Sequence, residues 1–396
     1  MHATTVTVRP FGSEHACTLD LAAIYQHFQD IPDLRDRRGV RYPLALLLTI
    51  ALWAKLTGAS QLRAIAEWAR ERQGELAERF DLPRPRMPHP TTWSRVFGSA
   101  VAIDALDQHL SRLLTPPPTA EEPLPAAAHI ALDGKTLRGT IPQGRSQGVH
   151  LVSAYAVGTG RVLDQEAVAS KENELVAAPR LLERTDLRGC LITGDALFAQ
   201  RTLSTQIVEA GGHYCWFVKE NQPTLLADLR LLFTPRVVPV APGFSAIPLD
   251  FIVAEQVDKG HGRREYRRLT VSSLLADYSD WPYLSQAFEV VRITWKGQEV
   301  SREERYGITS APTPLLSARR LLTVVRGHWQ IENGLHYRRD VTLHEDASQV
   351  RMGHAPQVLA GLNNAVCGIL AHAGCSNLAA FQRSMAAAID RLLFRN

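Results

Sequence analysis

Apolar residues recur at spacings of three and four over the first 115 residues, which is the pattern of amphipathic helices. Turn-forming stretches such as IPD, TGAS and DLPRPRMPHP separate the helical segments, and Ser60 is expected to cap the third one. We therefore predict an all-helical domain over residues 1–115. The predicted helices are LAAIYQHFQDI, YPLALLLTIALWAKLTG, SQLRAIAEWARERQGELAERF and HPTTWSRVFGSAVAIDALDQHLSRLL.

A proline-rich stretch ends this helical part. LTPPPTAEEPLPAAA carries five prolines in fifteen residues, a composition typical of an extended linker. We place a linker at residues 116–128 and a domain boundary there.

Beyond the linker the apolar residues form short β-type runs. HIALDGK, VHLVSAYAV and RVLDQEAV come first, and GTG marks a hairpin turn between the second and third. NELVAAPRLLERTDL, with Asn173 as its N-cap, GCLITGDALF, QRTLSTQIVEAGG and HYCWFVKEN then alternate between helix and strand. The order β-β-β-α-β-α-β predicts an α/β core with a mixed sheet.

Two further regions follow this first core part, which covers residues 129–234. Residues 235–310 are β-rich with turn glycines and are predicted to form an inserted sheet. Residues 311–396 return to helical spacing and are predicted to complete the core, followed by helices from about Pro356 to Leu393.

Two of the predicted strands end in carboxylates. Asp133 follows IAL, and Asp195 follows LITG. Because ligands of open α/β sheets bind outside the carboxyl ends of parallel strands, the two acids are placed to share a divalent cation. Carboxylate oxygens suit Mg²⁺, and a two-metal site promotes in-line displacement at phosphorus. Each aspartate could instead be a turn residue.

A third acid is expected from a helix beside these strands, and Glu332 in RGHWQIENGLHYRRD is the first candidate. Helical spacing places it on one face with Trp329 and Arg339, where a metal would offset its burial and Arg339 would meet a phosphate. A surface ion pair of Glu332 is the alternative. Glu345 and Asp346 are competing acids beyond the expected helix end.

Basic residues complete the candidate site. Lys135 shares its side of the strand with Asp133, where it either meets a phosphate or neutralises the acid. His261 and Arg263 are expected on a hairpin tip, as backbone contacts for a duplex or as a solvated turn. Further arginines, predicted to contact DNA phosphates, are Arg37, Arg38 and Arg63.

Composition narrows the class of protein. The chain has 396 residues, is 45% hydrophobic and 21% charged, and its formal net charge of +4 hides clustered arginines. Such local basic faces fit a polyanionic partner such as nucleic acid. The five cysteines are odd in number and never spaced C-x-x-C, which predicts free thiols in a reducing compartment. With no signal peptide or membrane-length apolar run, we predict a cytoplasmic, nucleoid-associated protein without a membrane partner.

The chain resembles DDE transposases of bacterial insertion sequences, in the subgroup that includes the H-repeat-associated proteins. The phrases that carry the resemblance are IPDLRDRRGVRYPL, LRAIAEWAR, ALDGKTLRG, HLVSAYAV, KENEL, ITGDALFAQR, VKENQP, GHGRRE, RGHWQIENGLHYRRDVTLHEDAS and LAGLNNAV. This resemblance implies a ribonuclease H-like core, with Asp133, Asp195 and Glu332 as a catalytic, metal-binding triad for Mg²⁺ or Mn²⁺, as two ions. Related transposases carry arginine where this chain has His328 and lysine where it has Arg339, and both are expected at DNA.

The resulting hypothesis is a DNA transposase that cleaves transposon ends and joins the 3′-hydroxyl to target DNA. Its partners would be the terminal inverted repeats and target duplex, and it would work as a homodimer on DNA. Two alternatives remain open: a stand-alone metal-dependent nuclease, and a non-catalytic DNA-binding derivative of a transposase.

Overall fold

The computed structural model describes residues 5–9, 16–38, 40–113, 128–169, 172–234, 250–260 and 262–394. The α-helices are α1 Leu21–Gln29, α2 Leu44–Leu56, α3 Leu62–Glu71, α4 Gln73–Arg79, α5 Pro90–Ser99, α6 Ile103–Arg112, α7 Glu174–Glu183, α8 Arg201–Glu209, α9 Pro223–Phe233, α10 Ala318–His328, α11 Ala355–His372 and α12 Leu378–Leu393. The strands are β1 Thr5–Val8, β2 Cys17–Asp20, β3 His129–Thr136, β4 His150–Ala156, β5 Arg161–Val168, β6 Leu191–Gly194, β7 His213–Val218, β8 Ile252–Gly260, β9 Arg263–Ser272, β10 Gln286–Lys296 and β11 Glu299–Thr309.

The chain divides into two compact units, each built from separate segments. Unit 1 comprises residues 1–122, 134–177 and 330–396, and unit 2 comprises residues 123–133 and 178–329. The chain passes from unit 2 to unit 1 within β3, between Asp133 and Gly134.

Unit 1 is organised around two apolar helices. Every residue of α2 is buried, which is expected for a helix that is apolar on all sides. α11 packs against α2, α5, α6 and β5, and α12 packs against α2 and β1. The unit also contains the antiparallel hairpin β4–β5, which turns at Gly158 and Gly160, both with positive φ.

Unit 2 contains a large mixed sheet. Its strands follow the order β3-β6-β7-β11-β10-β9-β8, with β3, β6 and β7 parallel and the rest antiparallel. One face of β9 and β10 packs with α10 in an apolar core that includes Leu269, Phe288 and Leu321. The parallel strands leave their carboxyl ends at one edge of this sheet.

Most predicted elements are confirmed, and Asn173 accepts a hydrogen bond from the Leu175 amide at the start of α7. The first domain is not all-helical, because β1 and β2 pair antiparallel ahead of α1. Each of the last two predicted N-terminal helices is split in two, and Gln61, not Ser60, is the N-cap of α3. α9 was not predicted. Most of the linker, and the first residues of the insertion, lie outside the described residues.

The predicted glutamate helix differs most from expectation. α10 ends at His328, and π-helical turns follow at Ile331–His336 and Arg338–Thr342. A π-helix has more residues per turn than an α-helix, so the three- and four-residue spacing does not place Trp329, Glu332 and Arg339 on one face.

Candidate active site

The two predicted aspartates of unit 2 belong to neighbouring strands. β3 and β6 are parallel, and their register pairs His129 with Leu191, Ile130 with Ile192 and Ala131 with Thr193. Asp133 and Asp195 each follow the last of these paired residues by two positions. β6 ends at Gly194, so the strand end predicted before Asp195 is confirmed, whereas the one predicted at Asp133 is wrong, because β3 continues to Thr136.

Local structure sets how each acid is presented. Asp195 is exposed and extended, and its Oδ1 accepts the Leu197 amide at 2.9 Å, so it caps the short helix Ala196–Phe198. Asp133 is partly buried at the end of the unit 2 segment of β3. The extended backbone at Asp195 thus holds this residue at the surface, while its Oδ1 is bonded to the Leu197 amide.

A buried hydrogen-bonded trio lies just behind this edge. The Thr193 hydroxyl is 2.8 Å from Nε2 of His129 and 3.1 Å from Nδ1 of His328. Burial, and then the neighbouring His328, lower the pKa of His129 to about 3. Burial also lowers the pKa of His328, although Asp133 opposes that shift. Both rings are neutral at pH 7, and Thr193 ties α10 to β6.

An open cleft of about 290 Å³ in unit 2 contains Asp195. Lys219, Arg230 and Arg305 bring positive charge to its walls, and the guanidinium of Arg305 lies 5.4 Å from the ring centroid of Trp329. The Trp329 side chain is 44% exposed, so an aromatic face and cations share the cleft with the acid. Glu220, Glu303 and Glu304 also line it, which leaves the charge mixed.

The segment that follows β7 contributes residues that the sequence analysis missed. Asn221 donates from Nδ2 to the carbonyl of Ala196 at 2.7 Å and so braces the turn after Asp195. Lys219 lines the cleft two residues earlier. A signal was available, because Lys219, Glu220 and Asn221 are a polar run directly after a buried strand, the same pattern that identified Asp133 and Asp195.

In unit 1, Lys135 is buried and held by acids. Its Nζ lies 2.7 Å from Asp340 and 3.7 Å from Asp346, and Arg138 is 3.7 Å from Asp346. Lys135 therefore joins the end of β3 to the π-helical turn Arg338–Thr342. Of the two alternatives left open by the sequence, the structure favours neutralisation of carboxylates within the protein over an exposed cation.

Gly134, between Asp133 and Lys135 in ALDGK, lies where a side chain would not fit. A Cβ atom at Gly134 would overlap the carboxylate of Glu174 and crowd the imidazole of His150. These two side chains hold each other, with 2.7 Å between Nε2 of His150 and Oε1 of Glu174. A larger residue than glycine would separate them.

Arg339 is fully buried in unit 1. Its Nε donates to Glu345 at 2.8 Å, and its Nη1 donates to Asn364 at 3.1 Å. The predicted phosphate contact of Arg339 is therefore corrected, because its charge is buried. Lys135 and His328 are buried as well. Glu345, one of the competing acids, is occupied by the same pairing.

Glu332 is exposed on the π-helical turn Ile331–His336 of unit 1. Of the other predicted DNA contacts, Arg37 and Arg38 are exposed, Arg63 is exposed beside Glu67, and Arg263 pairs with Glu265 at 3.0 Å. Arg263 opens β9, as expected for the tip of the hairpin β8–β9. His261 lies outside the described residues.

Among the residues that the structure describes, no three or more His, Cys, Asp or Glu side chains are grouped in a way that could hold a metal ion. The described helices include none that is long and apolar enough to cross a membrane.

Comparison with known proteins defines the class. Residues 125–366 match the Transposase DDE domain family, and residues 25–114 match the family described as DDE_Tnp_1-associated. The first match covers more than half of the chain, so the chain belongs to the Transposase DDE domain family. This confirms the resemblance on which the sequence analysis relied.

Similar proteins that match almost the whole length of this chain are named as putative transposases. The chain is 29% identical over 360 residues to "Putative transposase YncI" of Escherichia coli O157:H7, covering 89% of this chain and 88% of the relative. It is 27% identical over 382 residues to "H repeat-associated putative transposase YhhI" of Escherichia coli (strain K12), covering 94% and 97%. A solved structure, a piggyBac transposase synaptic complex with hairpin DNA, aligns with a TM-score of 0.43 and 10% identity over 94% of this chain and 78% of that one.

Proposed function

We propose that this chain is a metal-dependent DNA transposase that cleaves the ends of a mobile element and joins them to target DNA. The observation that carries the proposal is that Asp133 and Asp195 each follow, by two positions, the last paired residues of the adjacent parallel strands β3 and β6. Carboxylates from two neighbouring strands suit a shared divalent cation. Family membership supplies the reaction class in which such a pair works.

Glu332 is proposed as the third acid. It is exposed, and it follows Trp329, a cleft residue, by three positions in the chain. The competing acids fit less well, because Glu345 is buried against Arg339 and Asp346 lies beside Lys135 and Arg138. Asp133, Asp195 and Glu332 would together hold Mg²⁺ or Mn²⁺, as two ions.

The bound cations would supply charge stabilisation at the phosphorus and activation of an oxygen nucleophile. Asp133 and Asp195 would hold these cations beside the reacting phosphate. Lys219, Arg230 and Arg305 of the cleft would offer positive charge to neighbouring phosphates. Water breaks the phosphodiester at the element end and frees a 3′-hydroxyl, whose oxygen then attacks a target phosphodiester and displaces a new 3′-hydroxyl.

The proposal is tested with the full-length protein, labelled element-end duplex and Mg²⁺ or Mn²⁺. Nicking at the element boundary is expected for the wild type and is expected to be lost in Asp195→Asn and Glu332→Gln. Glu209→Gln, an exposed acid on α8, is the matched control and keeps activity. Equal cutting by wild type and Glu332→Gln would overturn the assignment of Glu332.

A second assay separates transposition from simple hydrolysis. Pre-nicked ends are mixed with target plasmid, and joined product is measured by gel. Cutting without joining would support the stand-alone nuclease, and sequence-independent binding without metal-dependent cutting would support the non-catalytic derivative. Joining by the wild type, but not by Asp195→Asn or Glu332→Gln, supports the transposase.

A further inference from the structure

A proline- and arginine-rich loop of unit 1, residues 82–89, has no role in the site described above. Both ends of this loop are anchored to the helical core. The Leu82 amide donates to the Ala77 carbonyl at 2.8 Å, and the buried Trp93 donates from Nε1 to the Pro88 carbonyl at 3.1 Å. The middle, Pro83-Arg84-Pro85-Arg86, is exposed. The loop is thus a fixed base with a solvent-facing tip.

The prolines stiffen that tip. A proline ring fixes φ near −65° and removes the amide donor, so alternating prolines leave the backbone few accessible conformations. The Arg86 amide donates to the Arg84 carbonyl at 2.8 Å, which closes a tight turn at Pro85. Arg84 and Arg86 are the residues between and after these prolines. Little conformational entropy remains to be lost when such a segment binds.

A second loop, described at residues 35–38 and 40–42, is tied to the first. The Tyr42 hydroxyl donates to the carbonyl of Arg86 at 3.0 Å, and Arg35 donates to the carbonyl of Tyr42 at 2.8 Å. Arg35 is also paired with Asp33 at 2.6 Å and is used within the fold. The two loops therefore form one surface, which we call the two-loop surface.

The two-loop surface carries more exposed positive than negative charge. Its exposed arginines have no ion pair within the part of the chain that the structure describes, and they outnumber Asp36, the exposed acid among the described residues of the same two loops. The arginines concerned are Arg37, Arg38, Arg41, Arg84 and Arg86.

We infer that the two-loop surface binds duplex DNA, with Arg84 and Arg86 inserted into the minor groove of an A·T-rich segment. The inference rests on the proposed function for the presence of DNA. A narrow turn that projects two arginine side chains can approach a minor groove, whereas a helix is too wide to enter it. The minor groove of A·T-rich DNA is narrower and has a more negative potential, which favours the insertion of arginine side chains. Arg37, Arg38 and Arg41 would meet the flanking phosphates.

The test measures binding of the full-length protein to A·T-rich and G·C-rich duplexes of equal length, by fluorescence anisotropy without divalent metal. Arg84→Ala/Arg86→Ala is expected to bind the A·T-rich duplex about tenfold more weakly and to lose its preference over the G·C-rich duplex. The matched control, Arg383→Ala/Arg391→Ala, removes the same charge from exposed positions on α12 and should keep the preference. A dye that fills the A·T minor groove should compete with the wild type.

A second variant probes the tie between the loops without changing charge. Tyr42→Phe removes the hydrogen bond to the Arg86 carbonyl and is expected to lower the A·T preference while leaving thermal stability close to wild type. Circular dichroism of every variant checks that the helical fold is kept.

Three outcomes would overturn the inference. They are unchanged binding by the Arg84/Arg86 variant, an equal loss on both duplexes, and no competition from the minor-groove dye. Metal-dependent cleavage sensitive to Asp195→Asn would still support the proposed function in each case, so the two failures are distinguishable. Tighter wild-type binding to duplex RNA, whose minor groove is wide and shallow, would also overturn it.

Discussion

Several charged side chains inside unit 1 form one hydrogen-bonded chain. Lys55 donates to Asn363 at 2.7 Å, Asn363 donates to Glu345 at 2.8 Å, and Arg339 donates to the same carboxylate. Asn364 then links Arg339 to Gln165 on β5. Because buried charges are costly without partners, this arrangement makes each member dependent on the next.

The exposed Glu332 and the buried Glu345 respond differently to the same substitution. Glu345→Gln leaves the Arg339 guanidinium without its counter-charge and is expected to lower the free energy of unfolding by about 3–5 kcal/mol. Glu332→Gln, at an exposed position, should change it by less than about 0.5 kcal/mol while losing cleavage. Urea unfolding of both variants checks this. A stable Glu345→Gln protein would contradict it.

Lys55 gives the fold a pH dependence of predictable sign. Burial lowers the pKa of Lys55 to about 8 from its ordinary 10.5, so the folded chain loses this proton before the unfolded chain does. Between these pH values the unfolded state binds more protons, and the stability due to this residue rises with pH, by up to about 3 kcal/mol.

Lys55→Met should remove that rise. We expect the unfolding free energy of the wild type, minus that of the variant, to increase from pH 8 to pH 10.5. Below pH 7 this difference should be constant. Urea titrations across this range measure it, with the exposed Lys219→Met as control. Parallel curves for wild type and Lys55→Met would show that the buried amine keeps its usual pKa.

At the scale of elements, Thr193 connects three segments of unit 2. Thr193→Val keeps the shape but leaves His129 and His328 without their hydroxyl partner, so we expect a loss of about 1–3 kcal/mol in unfolding free energy. Thr193→Ser, which retains the hydroxyl, should lose less. Thermal unfolding of the two variants compares them, and a larger loss in Thr193→Ser than in Thr193→Val would mean that the methyl packing, not the hydrogen bonds, holds α10 to β6.

Features that follow one local rule were predicted correctly. The turn glycines between β4 and β5 and the acid after β6 are readable within ten residues. The prediction for Arg339 was wrong, because Glu345 and Asn364, from beyond the expected helix end, accept its hydrogen bonds and bury it. No local pattern reports such partners. The π-helical turns also escaped, since the spacing rule assumes 3.6 residues per turn.

At the scale of the whole molecule, the proposed reaction requires two element ends to be cut together. If a dimer assembles on both ends, mixing wild type with excess Asp195→Asn protein should lower paired-end product roughly as the square of the wild-type fraction. Nicking at a single end should fall only in direct proportion to the wild-type fraction. Product quantified by gel from a two-ended substrate tests this, and a linear fall in paired-end product would indicate that subunits act independently.

The buried helix α2 has a consequence for how the protein is made. It packs against α11, and its Lys55 side chain donates to Asn363, which lies 308 residues later in the chain. The ribosome therefore releases this largely apolar helix long before α11 has been synthesised, and such segments are prone to self-association. A chain terminated ahead of residue 355 would leave uncovered the side of α2 that α11 contacts. We expect interrupted copies of this gene to yield insoluble, rapidly degraded polypeptides, not dominant-negative fragments.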